Sequence, residues 1–432
     1  MRRDALREYV RGSLWVLPTA AVLIALAVGG ALSLIRLPPG APLAFQGTAD
    51  DARTLLIGIT STMVTVIAVL LGLTVVALQL SSTQFSPRLL RNFLRDRPNQ
   101  LVLSSFVATF AYAAAGLYTV GVSAGQRTGD YPRLAVTGAI VLLFVSLGLL
   151  VYFADHLAHS IQVDSIMLVA RTQTMAVIDD SLLDGTGQPV PAAHDAVPVA
   201  AARSGYLQAV NVAELLEWAS RARACMRLHL RVGEHVVAGT TVAWVWPASA
   251  GDPWPDREAA ALAVDRDVRI GRERTFEQDA AFGIRQLVDM ACKAMSPAVN
   301  DPYTAVQAVN NISVIFSRLA TLPLGDYVAV GRSGATVVVP GRRFGDYLAT
   351  MCGLIRRYGA REPTVAHALL RLLVDCSAMV RDDPERQSDI GTQARLIVAE
   401  ARRHITEPAD MMIVDAEAEP LIGTPTDGRS SG

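Results

Sequence analysis

Lysine is almost missing from this sequence. Lys293 stands alone among 39 basic residues, and the rest are arginine. That excludes a GxxxxGK[ST] phosphate loop, and it leaves no lysine-bearing turn for a lipoyl or biotinyl arm. Cysteine is sparse too. The four thiols, Cys225, Cys292, Cys352 and Cys376, form no CxxC pair and have no histidine at ligand spacing. They read as free, buried thiols in a reducing compartment. Also missing are GxSxG, HExxH and a dinucleotide fingerprint, so an enzyme ranks last and no residue is assigned a catalytic role. No cofactor is expected. The net charge of −1 gives no basic field for nucleic acid.

Apolar residues, by contrast, are plentiful. They make up 51% of the 432 residues, and the mean hydropathy is +0.32. This balance predicts a membrane part joined to a soluble part. Four runs reach the roughly 20 residues a helix needs to cross a bilayer: Leu14 to Ile35, Leu55 to Leu80, Leu101 to Ala124 and Leu134 to Leu157. The first is too long for a signal peptide. No charge interrupts any run before Asp155, which argues against ion-coupled transport.

Arginine placement sets the expected orientation. Arg2, Arg3, Arg7 and Arg11 precede the first run, and Arg88, Arg91, Arg95 and Arg97 lie between the second and third. The other two loops are poorer in arginine, so both termini are expected in the cytoplasm. The 81–100 loop is itself a basic amphipathic segment, with Phe85, Leu89, Leu90, Phe93 and Leu94 beside Arg88, Arg91 and Arg95. Such a segment lies at headgroup level, as a topology anchor or as a lever to a soluble domain. The polar Gln79, Ser81, Ser82, Thr83 and Gln84 just before Phe85 are candidates to line a pore mouth, although a span end is normally polar. At the exit of the fourth run, a metal held by His156 and His159 near Asp155 ranks below plain interfacial polarity.

The expected organisation is a four-helix transmembrane domain over 1–160, a connecting helix and linker over 161–196, and a small β module over 197–250. A mostly helical domain follows over 256–415, and a disordered tail over 416–432. In the β module, alternating Leu228, Leu230 and Val232 and the turns at Gly233 and Gly239 resemble half of a lipoyl or biotinyl-type barrel. Without a modifiable lysine, such a barrel serves as scaffold or sensor. The fold class expected is an α-helical integral membrane protein with a cytoplasmic α+β domain that contains this barrel-like module.

The densest run of specific polar residues is 274–305, RTFEQDAAFGIRQLVDMACKAMSPAVNDPYTA. Ile284, Leu287, Val288, Ala291 and Met295 make one apolar helical face, with Gln278, Arg285, Asp289 and Ser296 opposite. Pro297 ends that helix. Asp301 and Pro302 start another, as N-cap and first helical residue. Arg285 and Asp289 are spaced for an i, i+4 ion pair, in the orientation that supports an isolated helix less well. Gln278, Asp279, Arg285, Asp289, Ser296, Asn300, Asp301 and Thr304 are therefore candidates for a ligand or interface site, against a purely architectural alternative.

The blocks Arg274-Thr275, Gln278-Asp279, Phe282 to Asp289, Ser296-Pro297 and Asn300 to Ala305 resemble the signature of a family of bacterial inner-membrane proteins, the domain of unknown function numbered twenty-two fifty-four. SSTQFSPRLLRNFLRDRPNQ, Ser81 to Gln100, matches a second block. The resemblance implies a membrane location and no particular reaction. Two functions are expected from the residues themselves. One is a passive, channel-like or gated membrane protein with a cytoplasmic sensing domain. The other is a membrane-anchored ligand sensor or scaffold without transport. The expected partners are the lipid bilayer and further copies of the chain.

Overall fold

The computed structural model describes residues 15–35, 37, 38, 40–84, 97–126, 131–160, 162–182, 185 and 194–422. The chain divides into two compact units, Met1–Ser165 and Ile166–Gly432.

The first unit contains four helices long and apolar enough to cross a membrane: α1 (Val16–Leu34), α2 (Ala49–Gln84), α3 (Arg97–Gln126) and α4 (Arg133–Ser160). They are helices because nothing in the runs competes. The hydroxyls bond back along their own helix, as Thr60 Oγ1 does to the Leu56 carbonyl at 2.7 Å and Thr74 Oγ1 to that of Leu70 at 2.8 Å. Helix α3 packs against all three others. Its Tyr112 sits between Gly29 of α1 and Gly138 of α4, where a Cβ at either position would press on the ring or its hydroxyl. That hydroxyl donates to the Ala135 carbonyl at 2.8 Å. Small residues thus let a large ring fill the contact of three helices. Thr48 and Asp51 cap α2 reciprocally, at 2.9 and 3.2 Å. Arg133 ties the preceding loop to α4 by donating to the Phe45 and Gly47 carbonyls at 2.7 and 3.0 Å. Gln84 closes α2. The side chains of Ser81, Ser82, Thr83 and Gln84, and the segment 85–96 with Arg88, Arg91 and Arg95, lie outside the described residues.

The second unit contains α5 (Val163–Asp180), β1 (Val197–Ala200), β2 (Gly205–Val210), α6 (Val212–Ala222), β3 (Ala224–Leu228), β4 (His235–Val236), β5 (Thr241–Pro247), α7 (Arg257–Asp267) and β6 (Val268–Gly271). There follow α8 (Ala280–Ala294), α9 (Pro302–Leu319), β7 (Tyr327–Val330), a 3-10 turn (Arg332–Gly334), β8 (Thr336–Val339), α10 (Phe344–Tyr358), α11 (Pro363–Met379), α12 (Pro384–His404) and α13 (Pro408–Ile422). The strands form two sheets, β1-β5-β3-β8-β7 and β4-β2-β6. Leu207, Met226, Leu228, Val242, Val245 and Val337 fill the core between them, with Leu215 of α6 and Val264 of α7 against it.

This corrects the barrel-like expectation. Among the described residues no closed barrel forms, and the strands of 197–250 are not self-contained. β3 pairs in parallel with β8 (Met226 with Val337), and β2 pairs antiparallel with β6 (Leu207 with Ile270). Edges that a barrel would close on themselves are taken by strands from later in the chain. The helical end also differs from the expected tail. α13 runs on to Ile422 because Val414 and Ala418, one turn apart, are buried, and Glu417 pairs with His367 at 3.4 Å. Residues 423–432 lie outside the described residues.

Candidate functional site

The first half of the signature works as a clamp. Asp279 is the N-cap of α8 and accepts from the Phe282 N–H at 3.1 Å. Its carboxylate also takes both forks of Arg274, at 2.8 and 2.9 Å. The Arg274 guanidinium lies over the Phe282 ring at 5.3 Å, and Phe276 meets that ring edge-on at 5.1 Å. Asp279 is 3% exposed and Arg274 21%. Burial pushes the Asp279 carboxyl above the usual aspartate range, and Arg274 and then Arg342 pull it back. Gln278 bonds the end of β2 twice. Its Oε1 accepts from the Val210 N–H at 2.9 Å, and its Nε2 donates to the Val210 carbonyl at 3.2 Å. Gly233, with φ +88°, lies against Asp279, and a Cβ there would overlap the carboxylate.

The second half is a turn between helices. Ser296 Oγ donates to the Lys293 carbonyl at 2.6 Å. Asn300 is left-handed, with φ +49°, a conformation that Asn tolerates at a helix end. Asp301 caps α9 by accepting from the Thr304 N–H at 3.1 Å and the Thr304 hydroxyl at 2.6 Å. Those two bonds hold its carboxyl below the usual range. Arg285 reaches Asp289 at 3.0 Å on the half-exposed face of α8. Burial, followed by Asp289, raises the nearby Cys292 thiol to about 12, so it is no ready nucleophile. Cys225, Cys352 and Cys376 are buried and free.

The structure does not gather the eight signature candidates into one site. Gln278 and Asp279 border a cavity of about 40 Å³, and the other six do not. The rest of its polar wall comes from outside 274–305: Tyr327 on β7, together with Arg231 after β3, Arg342 after β8 and Tyr347 on α10. Arg231 contacts Asp346 at 3.0 Å. Asp346 is also engaged by the Arg343 N–H at 3.0 Å, at the start of α10. Tyr347 is 3% exposed, and burial raises its phenol. Arg342 is half-buried, and among the described residues no carboxylate comes within ion-pair distance of it. Arg231, Arg342 and Tyr347 carry no local motif. The one sequence signal was the run Pro340-Gly341-Arg342 directly after an apolar strand. Gly341 is required there because a Cβ would collide with the Gly325 carbonyl.

In the first unit, His159 Nδ1 lies 2.8 Å from the Asp155 carbonyl, on the surface, and His156 stacks on Tyr152. Among the described residues no group of three His, Cys, Asp or Glu side chains is placed to hold a metal.

Residues 11–375 match the family described as "Predicted membrane protein (DUF2254)". An uncharacterized protein of Mycobacterium tuberculosis (strain CDC 1551 / Oshkosh) is 44% identical over 432 residues, covering 96% of this chain and 81% of its own. An uncharacterized protein of Mycobacterium bovis (strain ATCC BAA-935 / AF2122/97) is 44% identical with the same coverage. No solved structure matches the chain.

Proposed function

The chain belongs to this family of predicted membrane proteins, and from that premise we propose that it is a membrane-anchored ligand sensor. Its four apolar helices hold it in the bacterial inner membrane, and its second unit binds a small ligand in the cytoplasm. The observation that carries this reading is the contrast between two interiors. The first unit has a cavity of about 510 Å³, lined almost wholly by apolar residues such as Ile24, Val28, Tyr112 and Leu142, beside a core of Leu56, Met63 and Phe106. Its buried polar residues among those described are Gln100, Ser104, Thr109 and Ser146, none charged. The second unit instead keeps an arginine-lined cavity.

The orientation rests on arginine asymmetry. Reporter fusions at Gly47 and Gly129 are expected to report the outside, and fusions at Asn99 and Gly432 the inside. The proposed partners are the bilayer and further copies of the chain. In support, α1 buries only Ala25 and leaves Leu23, Ile24, Leu26 and Val28 exposed.

A second reading, a passive channel-like protein gated by the soluble unit, is favoured by one feature. Thr109 and Ser146 place two hydroxyls 2.9 Å apart inside the bundle, between α3 and α4. The purified protein in vesicles separates the two. An anchored sensor passes no ion or small solute above the protein-free rate, whereas sustained efflux would replace it with the channel.

A further inference from the structure

We infer that the cavity at the head of α8 and α10 is an oxyanion site, holding one phosphate-like group between Arg342, Arg231 and the Tyr347 hydroxyl. The inference rests on the sensor reading above and supplies its ligand class. Three observations lead to it.

The first is charge. Arg274 is consumed by both oxygens of Asp279. Arg231 meets Asp346 through one nitrogen at 3.0 Å, which leaves the rest of its fork available. Arg342 borders the cavity with no carboxylate partner among the described residues. The charges that act on the Tyr347 phenol are Arg342, Asp279, Asp346 and Arg231. With Arg274 added against Asp279, three guanidiniums face two carboxylates, and the surplus is one positive charge. A half-buried guanidinium without a counter-ion is costly unless an anion meets it.

The second is donor chemistry. The Gln278 amide is held on Val210 by one accepted and one donated bond, and both Asp279 oxygens are occupied. Two guanidinium forks and the phenols of Tyr327 and Tyr347 also border the cavity, and these are donors matched to an oxyanion. A cation would instead meet the guanidinium charges and be repelled.

The third is size. About 40 Å³ corresponds to roughly three water positions at about 10–15 Å³ each. That suits one tetrahedral oxyanion and is too small for a base or a sugar. Any larger ligand enters by its phosphoryl end.

The test uses the full-length protein in lipid discs and its unfolding midpoint. Inorganic phosphate is titrated in neutral-lipid discs against chloride at matched ionic strength. A parallel set carries phosphatidylglycerol and no added phosphate. A rise of the midpoint in the first set identifies a free oxyanion, and a rise confined to the second identifies a lipid headgroup; either supports the site if Arg342→Gln abolishes it. Arg342→Gln is expected to leave the ligand-free midpoint unchanged or slightly raised. Tyr347→Phe keeps the ring, and is expected to weaken the apparent affinity about two- to tenfold. No rise in either set overturns the proposal, as does a rise that persists in Arg342→Gln. Vesicle efflux reports on the sensor reading alone, so the two can fail separately.

Discussion

The two units handle polar atoms in opposite ways. In the four-helix unit, most serine and threonine hydroxyls turn back onto their own helices, while Tyr112 and Arg133 reach the Ala135 and Phe45 carbonyls. Thr19, Ser33, Thr60, Thr65, Thr74, Ser104, Thr109 and Thr137 each donate to the carbonyl four residues earlier. In the second unit, polar side chains bridge elements distant in sequence. Gln278 holds Val210, and Arg386 holds the Ala320 and Leu322 carbonyls at 2.6 and 2.7 Å. Arg227 holds Asp326 at 2.9 Å. The proposed arrangement, with the first unit in lipid and the second in water, accounts for the difference. A chain in lipid has no water to satisfy a polar group that misses its partner, so local satisfaction is the safe arrangement. In water, a side chain can wait for a distant partner and then fix the tertiary structure.

Variants at five positions probe that contrast. The largest effect is expected at the clamp. Asp279→Ala leaves the half-buried Arg274 unpaired, at a cost of up to about 3–5 kcal/mol in chemical unfolding. Replacing both partners together, Arg274→Met with Asp279→Leu, is expected to cost less than Asp279→Ala alone. Equal costs would mean that the pair is not a coupled unit.

Gly233→Ala comes next. The left-handed backbone alone costs about 1–2 kcal/mol, and the overlap with Asp279 adds to it. An unchanged midpoint would show that the clamp tolerates displacement.

Asp301→Ala is expected to cost about 1 kcal/mol, and Asp301→Ser much less, because serine caps nearly as well. The pH dependence has a fixed sign. The folded carboxyl of Asp301 is held below its ordinary range by Thr304. Its contribution is therefore present above that range and fades as the pH falls through the lowered value. Asp279 goes the other way. Its carboxyl is raised by burial, so this titration favours the fold in acid and works against it as the pH rises through the folded value, offsetting part of the gain from Arg274. Parent and Asp301→Ala should thus converge in acid, and a gap constant with pH would remove the carboxylate from the cap.

The smallest effect is expected in the first unit. Thr109→Val removes the 2.9 Å bond to Ser146. Helix-to-helix hydrogen bonds in membranes average only about 0.6 kcal/mol, which detergent unfolding can measure. A loss as large as that of Asp279→Ala would erase the contrast between the units.

Much of the architecture is written locally. An apolar run of sufficient length is a helix in lipid whatever surrounds it, so α1 to α4 follow from composition and spacing alone. Asp301-Pro302 opening α9, the Arg285–Asp289 pair and the helix Phe344–Tyr358 are equally local, since cap, ion pair and periodicity each lie within a few residues. The β module was not legible in this way. Whether a strand edge at Met226 is closed by its own segment or by Val337 depends on a contact more than a hundred residues away. The cavity illustrates the same limit. Arg231, Asp279, Arg342 and Tyr347 come from separate loops and helices, and no spacing in the chain links them. What the sequence by itself determined is the four spans, the break at Pro297 and the Asp301 cap, because short-range sterics and hydrogen bonds decide those. Which guanidinium ends beside a carboxylate and which is left facing an empty cavity was decided only by tertiary packing, because charge balance belongs to a place in space and not to a stretch of chain.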